Sequence, residues 1–442
     1  MSGDRLIDAF MTTPALAEVF SDRTVIGAML AFESALAVAE ARAGLIPASA
    51  AEAIAAAAAD EDGFDVPALL RETRRSATPS IPLVGALVDR VRSRSPEAAA
   101  YVHWGATSQD VADTALVLLL GRARFFLADH QRALTAALRR LSDSHASSLM
   151  LGRTLLQPAT PITFGLKAAV WYQIAAGGWS RLETAFDNAA TVQLGGATGT
   201  RGAFGDKEPA IAAVLADELG LTPSLPWHTD RGRIGAVACG CAIHAGGLAK
   251  IARDVALLMQ AEIGEVLADG GGSSTMPHKR NPSGCAVALA AAARVPGFAS
   301  SVLAGQVQEL ERGLGGWQLE WSAVSDTVQA TGATLAAVAD TVEHLQVFPE
   351  RMRANLDATG GAVFGERAML QLRLKTGREN ADAIVNAALE RSRRESIPFQ
   401  AALGASAEAV AALGRAEIDA VSNPDVYVRE AERVRRELLA GS

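Results

Sequence analysis

Five stretches of this chain carry apolar and small residues at helical spacing over unusual lengths: about 109–145, 161–191, 233–266, 283–312 and 316–345. At 1.5 Å per residue the first alone is on the order of 50 Å long. Small residues recur within them, as at Ala168-Ala169 and Ala236–Gly240, and allow helices to approach closely. One chain cannot cover helices this long and this apolar, so the simplest solution is a bundle that buries them against copies of itself. The expected fold is all-α: a long central helical bundle over 101–345, flanked by smaller helical domains at 1–100 and 346–442.

The flanks follow shorter rules. Ser21 or Asp22 can cap a helix whose apolar positions include Val25, Ile26, Met29, Phe32 and Leu36. Ser76–Pro82 is proline-rich and reads as a loop, and Asn423-Pro424 marks a turn before a charged last helix. Aromatics are only 5% of the 442 residues, and alternating β-branched runs are scarce.

A net charge of −8 argues against nucleic acid or an anionic membrane surface as partner. An acidic chain can still bind an anionic substrate by concentrating Arg and Lys locally. The longest apolar blocks, such as Ala286–Ala293, stop at charges or proline, so no membrane span is expected. The N-terminus has no signal-peptide pattern. Cys239, Cys241 and Cys285 are too few and oddly numbered for a disulfide framework, which fits reduced core thiols in a cytoplasmic protein. None of the seven histidines has metal-ligand spacing, so no metal site is expected.

Gly270-Gly271-Gly272-Ser273-Ser274-Thr275-Met276-Pro277-His278-Lys279-Arg280-Asn281-Pro282 is the stretch richest in chemistry. Its glycines and serines can aim several N–H groups at an anion, and a helical run follows whose dipole favours negative charge. Lys279 and Asn281 offer a charge and an amide two residues apart. The alternative is a plain surface connection.

Gly-Ser-Ser-x-Met-Pro-x-Lys-x-Asn resembles the signature of the fumarase/aspartase superfamily, with every position filled. The resemblance implies a loop closing over a dicarboxylate, with Ser273 exchanging the proton beside a carboxylate and Lys279 and Asn281 holding the substrate. His103-x-Gly-x-Thr107-Ser108-x-Asp110 is similar to the first signature of that superfamily. It implies substrate contact by Thr107 and Ser108, whose other reading is simple helix capping, and by His103, which otherwise satisfies a neighbouring backbone group. Gly152–Pro161 resembles the second signature and implies that Thr154 and Gln157 line the site. Relatives of the superfamily carry a histidine after the threonine or after the glutamine; here Leu155 and Pro158 stand there. The usual imidazole is absent from both, and His228 in Trp-His-Thr-Asp-Arg is the best remaining candidate.

Asp8–Phe10, Phe20–Arg23, Ile81–Val84, Tyr101–Asp110 and Pro226–Thr229 look like the 3-carboxy-cis,cis-muconate cycloisomerase branch. So does Gln306–Trp321, where Arg312 is the candidate guanidinium fork for a carboxylate. Arg231 and Arg233, which open a helix beside the His228 loop, are further candidates. The branch implies a cofactor-independent lactonising enzyme of protocatechuate catabolism, acting on a small di- or tricarboxylate as a homotetramer with sites shared between subunits. A β-elimination lyase that releases fumarate from a substituted succinate is the alternative. A non-catalytic helical scaffold is the remoter one.

Overall fold

The computed structural model of the chain describes residues 6–272 and 275–441. Seventeen α-helices and two small two-stranded sheets account for most of them. The five long runs are present as Ser108–Ser144, Phe164–Ala189, Gly232–Leu258, Ser283–Ala304 and Gly316–Glu343. Two of them end well short of the sequence pattern, at Leu258 and Ala304, because glycine-containing connections follow.

Contacts group the chain into two compact units, each assembled from separate stretches. The first comprises residues 1–132, 178–250 and 286–338. Its N-terminal part begins with the Pro14–Val19 helix and the Asp22–Arg42 helix. Ser21 caps the latter, accepting a hydrogen bond from the Thr24 N–H at 3.2 Å. Leu30, Phe32 and Leu36 are buried along that helix. A further helix begins at Ser80, inside the proline-rich stretch expected to be loop. Pro82 falls in its first turn, where no intrahelical N–H is needed. Among the long helices, Gly240 permits a close crossing: a side chain there would meet the backbone of Leu182 at 3.2 Å.

The second unit comprises 133–177, 251–285 and 339–442. Its C-terminal helices enclose a core of Ala368, Leu372, Ile384, Val385, Phe399, Leu403, Leu413 and Ile418. A smaller cluster of Leu151, Leu356 and Val363 anchors an antiparallel hairpin, Leu149–Thr154 with Gln157–Thr163, which the sequence reading did not foresee.

Among the described residues three helices are long and apolar enough to cross a membrane, each at mean hydropathy 1.5: Asp22–Arg42, Gly232–Leu258 and Ser283–Ala304. This corrects the expectation that no run reaches span length. Scattered charges break an apolar block in one dimension, yet leave the average over a helix high. The first two bury 56% of their apolar window within the chain, and Ser283–Ala304 buries only 33%.

Candidate active site

In the first unit the site grows from the N-terminus of the Ser108–Ser144 helix. Asp110 organises it. Its Oδ2 accepts the Thr107 N–H at 3.0 Å, capping the helix, and the Gly196 N–H at 2.9 Å. Its Oδ1 accepts the Gly195 N–H at 2.8 Å and lies 2.7 Å from His228 Nε2, which must donate to it. The carboxylate is fully buried, so this ring of donors replaces the water it loses. Gly195 is required here, because any side chain would run into the His228 ring. Gly196 is in the left-handed region, at φ +71°, which glycine adopts without strain.

Arg312 reaches the same loop through its carbonyls. Its Nη2 donates to the Gly196 carbonyl at 3.4 Å and the Ala197 carbonyl at 3.1 Å. Thr107 is buried and Ser108 half-buried. Among the described residues neither hydroxyl has an intrachain hydrogen bond, although the Ser108 carbonyl accepts one from Ser80 Oγ. Both hydroxyls are therefore available to a ligand, at a helix N-terminus that favours anions.

His103 precedes them in a left-handed backbone conformation, at φ +58°. Its Nδ1 lies 2.6 Å from Glu33 Oε1 on the Asp22–Arg42 helix. Burial pulls the imidazole pKa down, but the charge and hydrogen bond of Glu33, aided by Asp110, outweigh it and raise it above the ordinary value.

Beneath this layer lies a buried ion-pair network. Arg231 donates from Nη1 and Nη2 to the two Asp113 oxygens at 2.7 and 3.0 Å, and from Nε and Nη2 to Glu320 at 3.0 and 2.5 Å. Trp317 Nε1 adds a hydrogen bond to Asp113 Oδ1 at 3.0 Å, and Gln109 and Gln193 donate to its other oxygen. Arg231 is thus occupied as structure. Arg233 lies over the Trp227 ring and donates to Thr191 Oγ1. Arg231 is therefore not the free anion fork that the sequence offered, while among the described residues Arg233 commits only Nη1.

The second unit carries the other candidates on two elements. Thr154 pairs with Gln157 across a two-residue turn in which Leu155 and Leu156 both have positive φ, +49° and +64°. That is the type I′ geometry of tight hairpins, normally given to Asn and Gly. Thr154 and Gln157 are exposed at the tip. Behind them Arg153 grips Glu265 in a bidentate pair at 2.7 and 2.9 Å, and Asn355 donates to the same carboxylate at 2.8 Å.

The glycine-rich loop closes at its base, where the Asn281 N–H donates to the Gly271 carbonyl at 3.2 Å. Ser283 Oγ, at the start of the next helix, accepts the Gly271 N–H at 3.1 Å. The Lys279 N–H closes a turn on the Met276 carbonyl at 3.0 Å. Lys279 is exposed and Asn281 half-buried. Ser273 lies outside the described residues. The structure therefore gathers His103, Thr107, Ser108 and Arg312 around the Gly195-Gly196 loop in one unit. Thr154 and Gln157, and separately Lys279 and Asn281, stand on the hairpin and loop of the other. Sequence reasoning missed Glu33 and the clamping role of Asp110; the signal for Glu33 was a charge set within an apolar helix face.

The Gly195 and Gly196 N–H groups are spent on Asp110, so the Thr107 and Ser108 hydroxyls are what this helix N-terminus leaves open. The chain belongs to the lyase family of the fumarase/aspartase superfamily, whose family model matches residues 9–297. It is 42% identical over 430 residues to a 3-carboxy-cis,cis-muconate cycloisomerase of Bradyrhizobium diazoefficiens, covering 96% of this chain and 94% of that one. It is 37% identical over 429 residues to the nitrosuccinate lyase of Streptomyces davaonensis, covering 94% and 90%. The crystal structure of the 3-carboxy-cis,cis-muconate lactonizing enzyme from Pseudomonas putida superposes with a TM-score of 0.89 at 39% identity, covering 99% of this chain and all of that one.

Proposed function

We propose that this protein is a 3-carboxy-cis,cis-muconate cycloisomerase of aromatic catabolism. The observation that carries the reading is the 42% identity to an enzyme of that name across nearly the whole of both chains. The chemistry fits the residues. A C–H beside a carboxylate is a very weak acid, and adding an oxygen nucleophile across the conjugated alkene places an extra charge on that carboxylate. Preorganised donors must absorb the charge of this aci-carboxylate. Thr107, Ser108, Lys279, Asn281, Thr154, Gln157 and His103 are the substrate-binding groups of the proposal. Arg312, whose Nη2 holds the Gly196 and Ala197 carbonyls, shapes the glycine loop and offers its remaining donors.

Ser273 is assigned the proton exchange at carbon, and closure of its loop excludes water. The working form is a homotetramer with shared sites, formed from a central bundle (101–345) and flanking helical stretches (1–100, 346–442). The sparse internal cover of the Ser283–Ala304 helix supports association through that helix, with protein rather than lipid against it. A cytoplasmic location is part of the proposal, and burial, which pushes the Cys241 and Cys285 thiols up to about 12 and about 11, leaves both as inert core residues.

The test is direct. Purified protein should change the ultraviolet absorbance of 3-carboxymuconate. The nitrosuccinate lyase relative supports a second reading, in which the same donors stabilise the charge of a β-elimination. Release of fumarate from nitrosuccinate, with 3-carboxymuconate untouched, would replace the first reading by the second.

A further inference from the structure

Leu155 and Pro158 leave the second motif without an imidazole, yet the first unit holds one in an unusual electrostatic setting. The Asp22–Arg42 helix buries two carboxyls, Glu33 at 1% exposure and Glu40 at 0%. They are seven residues apart, which places them on one helix face. Glu33 Oε1 lies 2.6 Å from His103 Nδ1. Glu33 Oε2 and both Glu40 oxygens are buried without a hydrogen-bond partner.

A second buried carboxyl two turns along the helix meets the charge of Glu33 in a medium that screens it poorly, which disfavours its own ionisation. Among the described residues no cation pairs with Glu40. Burial, and then the charge of Glu33, push its carboxyl up to about 9. It therefore keeps its proton at neutral pH. The groups facing His103 are Glu33 from its own pair and Asp110 from the Ser108–Ser144 helix, both negative. The Nδ1–H of the ring is committed to Glu33. Nε2 points away from that contact, has no partner among the described residues, and belongs to a side chain still 20% exposed.

We propose that His103 is the catalytic acid that takes the place of the missing imidazole and that Glu33 is its positioning residue. The proposal rests on the cycloisomerase reading for its substrate. In lactone formation a carboxylate oxygen bonds to one alkene carbon, and the π electrons move through the adjacent carbon into its carboxylate. The Nε2 proton of His103 shifts toward that carboxylate oxygen as its charge grows. It returns to Nε2 when the carbon takes a proton from the Ser273 hydroxyl, which water then restores. The trianionic substrate thus gains one proton from solvent, and His103 ends as it began.

Three variants of the full chain test this. Imidazole titration followed by NMR should place His103 above its ordinary 6.5 in the wild type, and Glu33→Gln should lower it by about one unit or more. Glu40→Gln should leave that titration in place while removing a protonated-carboxyl band from the infrared spectrum. Because the imidazolium is the active form, kcat/KM for 3-carboxymuconate should fall as pH rises through the His103 pKa. Glu33→Gln should move this alkaline limb to lower pH by the same interval. His103→Gln should abolish the limb and lower kcat at least 100-fold. An unmoved titration in Glu33→Gln, or an alkaline limb that survives His103→Gln, overturns the proposal.

Failure of the substrate reading looks different. The titrations then behave as described, 3-carboxymuconate is untouched, and the same limb is measured with nitrosuccinate. Turnover of neither substrate removes the acid role together with the reading.

Discussion

His228 Nε2 and Asp110 Oδ1 lie 2.7 Å apart, and the same carboxylate receives the N–H groups of Thr107, Gly195 and Gly196. One side chain thus fixes the helix start, the glycine pair and the imidazole that the sequence left as a candidate catalyst. The Nε2 of His228 is committed to that clamp. Asp110→Ala should therefore act on both fold and rate. Stranding the buried donors costs about 3–5 kcal/mol, read as a lower urea midpoint. The turnover that survives should fall by at least 100-fold, because Thr107 and Ser108 lose their register. Activity within threefold of wild type would show that the clamp does not shape the site.

Arg231 satisfies two buried carboxylates at once, and its planar fork matches them in a way that a point charge cannot. Arg231→Lys should lose about 3 kcal/mol or more of stability, the range for breaking a buried pair. Equilibrium unfolding checks this. The loss should exceed that of a charge-conserving exchange at an exposed pair such as Arg92 with Asp89.

His244 is buried with neither ring nitrogen hydrogen-bonded, and burial pushes its pKa down to about 4. The folded chain keeps it neutral where the unfolded chain protonates it. Between about pH 6.5 and 4 the unfolded state binds the extra proton, so the stability falls as pH falls. The loss from this group is on the order of 3 kcal/mol across that window. His244→Leu should flatten the acid side of the stability profile, measured as denaturation midpoints at pH 7, 6 and 5. An unchanged slope would assign acid sensitivity to other groups.

Ser273→Ala should abolish turnover while the assembly, followed by size-exclusion chromatography, stays intact. Lys279→Met should weaken substrate binding and slow the chemistry together, since it would hold a carboxylate whose charge grows in the transition state. A ten- to thousandfold fall in kcat/KM is the expected scale. Full activity of Ser273→Ala would remove that serine from the mechanism.

The helical frame was legible because period and length survive in a single sequence. The five long runs appear within a few residues of their expected bounds, except where Leu258 and Ala304 give way to loops. The hairpin at Leu149–Thr163 was not legible: its turn is Leu-Leu in left-handed geometry, which no turn rule selects. Motif residues were found by their order along the chain, but their partners were not. Glu33 meets His103 across 70 positions and Arg231 meets Glu320 across 89, and no local pattern encodes such encounters. For the same reason Arg231 looked like an anion fork in sequence and proved to be a buried strut.

The bidentate grip of Arg153 on Glu265 has a consequence for how the hairpin can contribute. Its guanidinium is cancelled at the root, so the tip from Thr154 to Gln157 extends as an electrically neutral finger of one hydroxyl, one amide and two leucines. Whatever anion it touches meets dipoles and shape there. Its share of recognition should persist undiminished in strong salt, while the lysine-borne share fades.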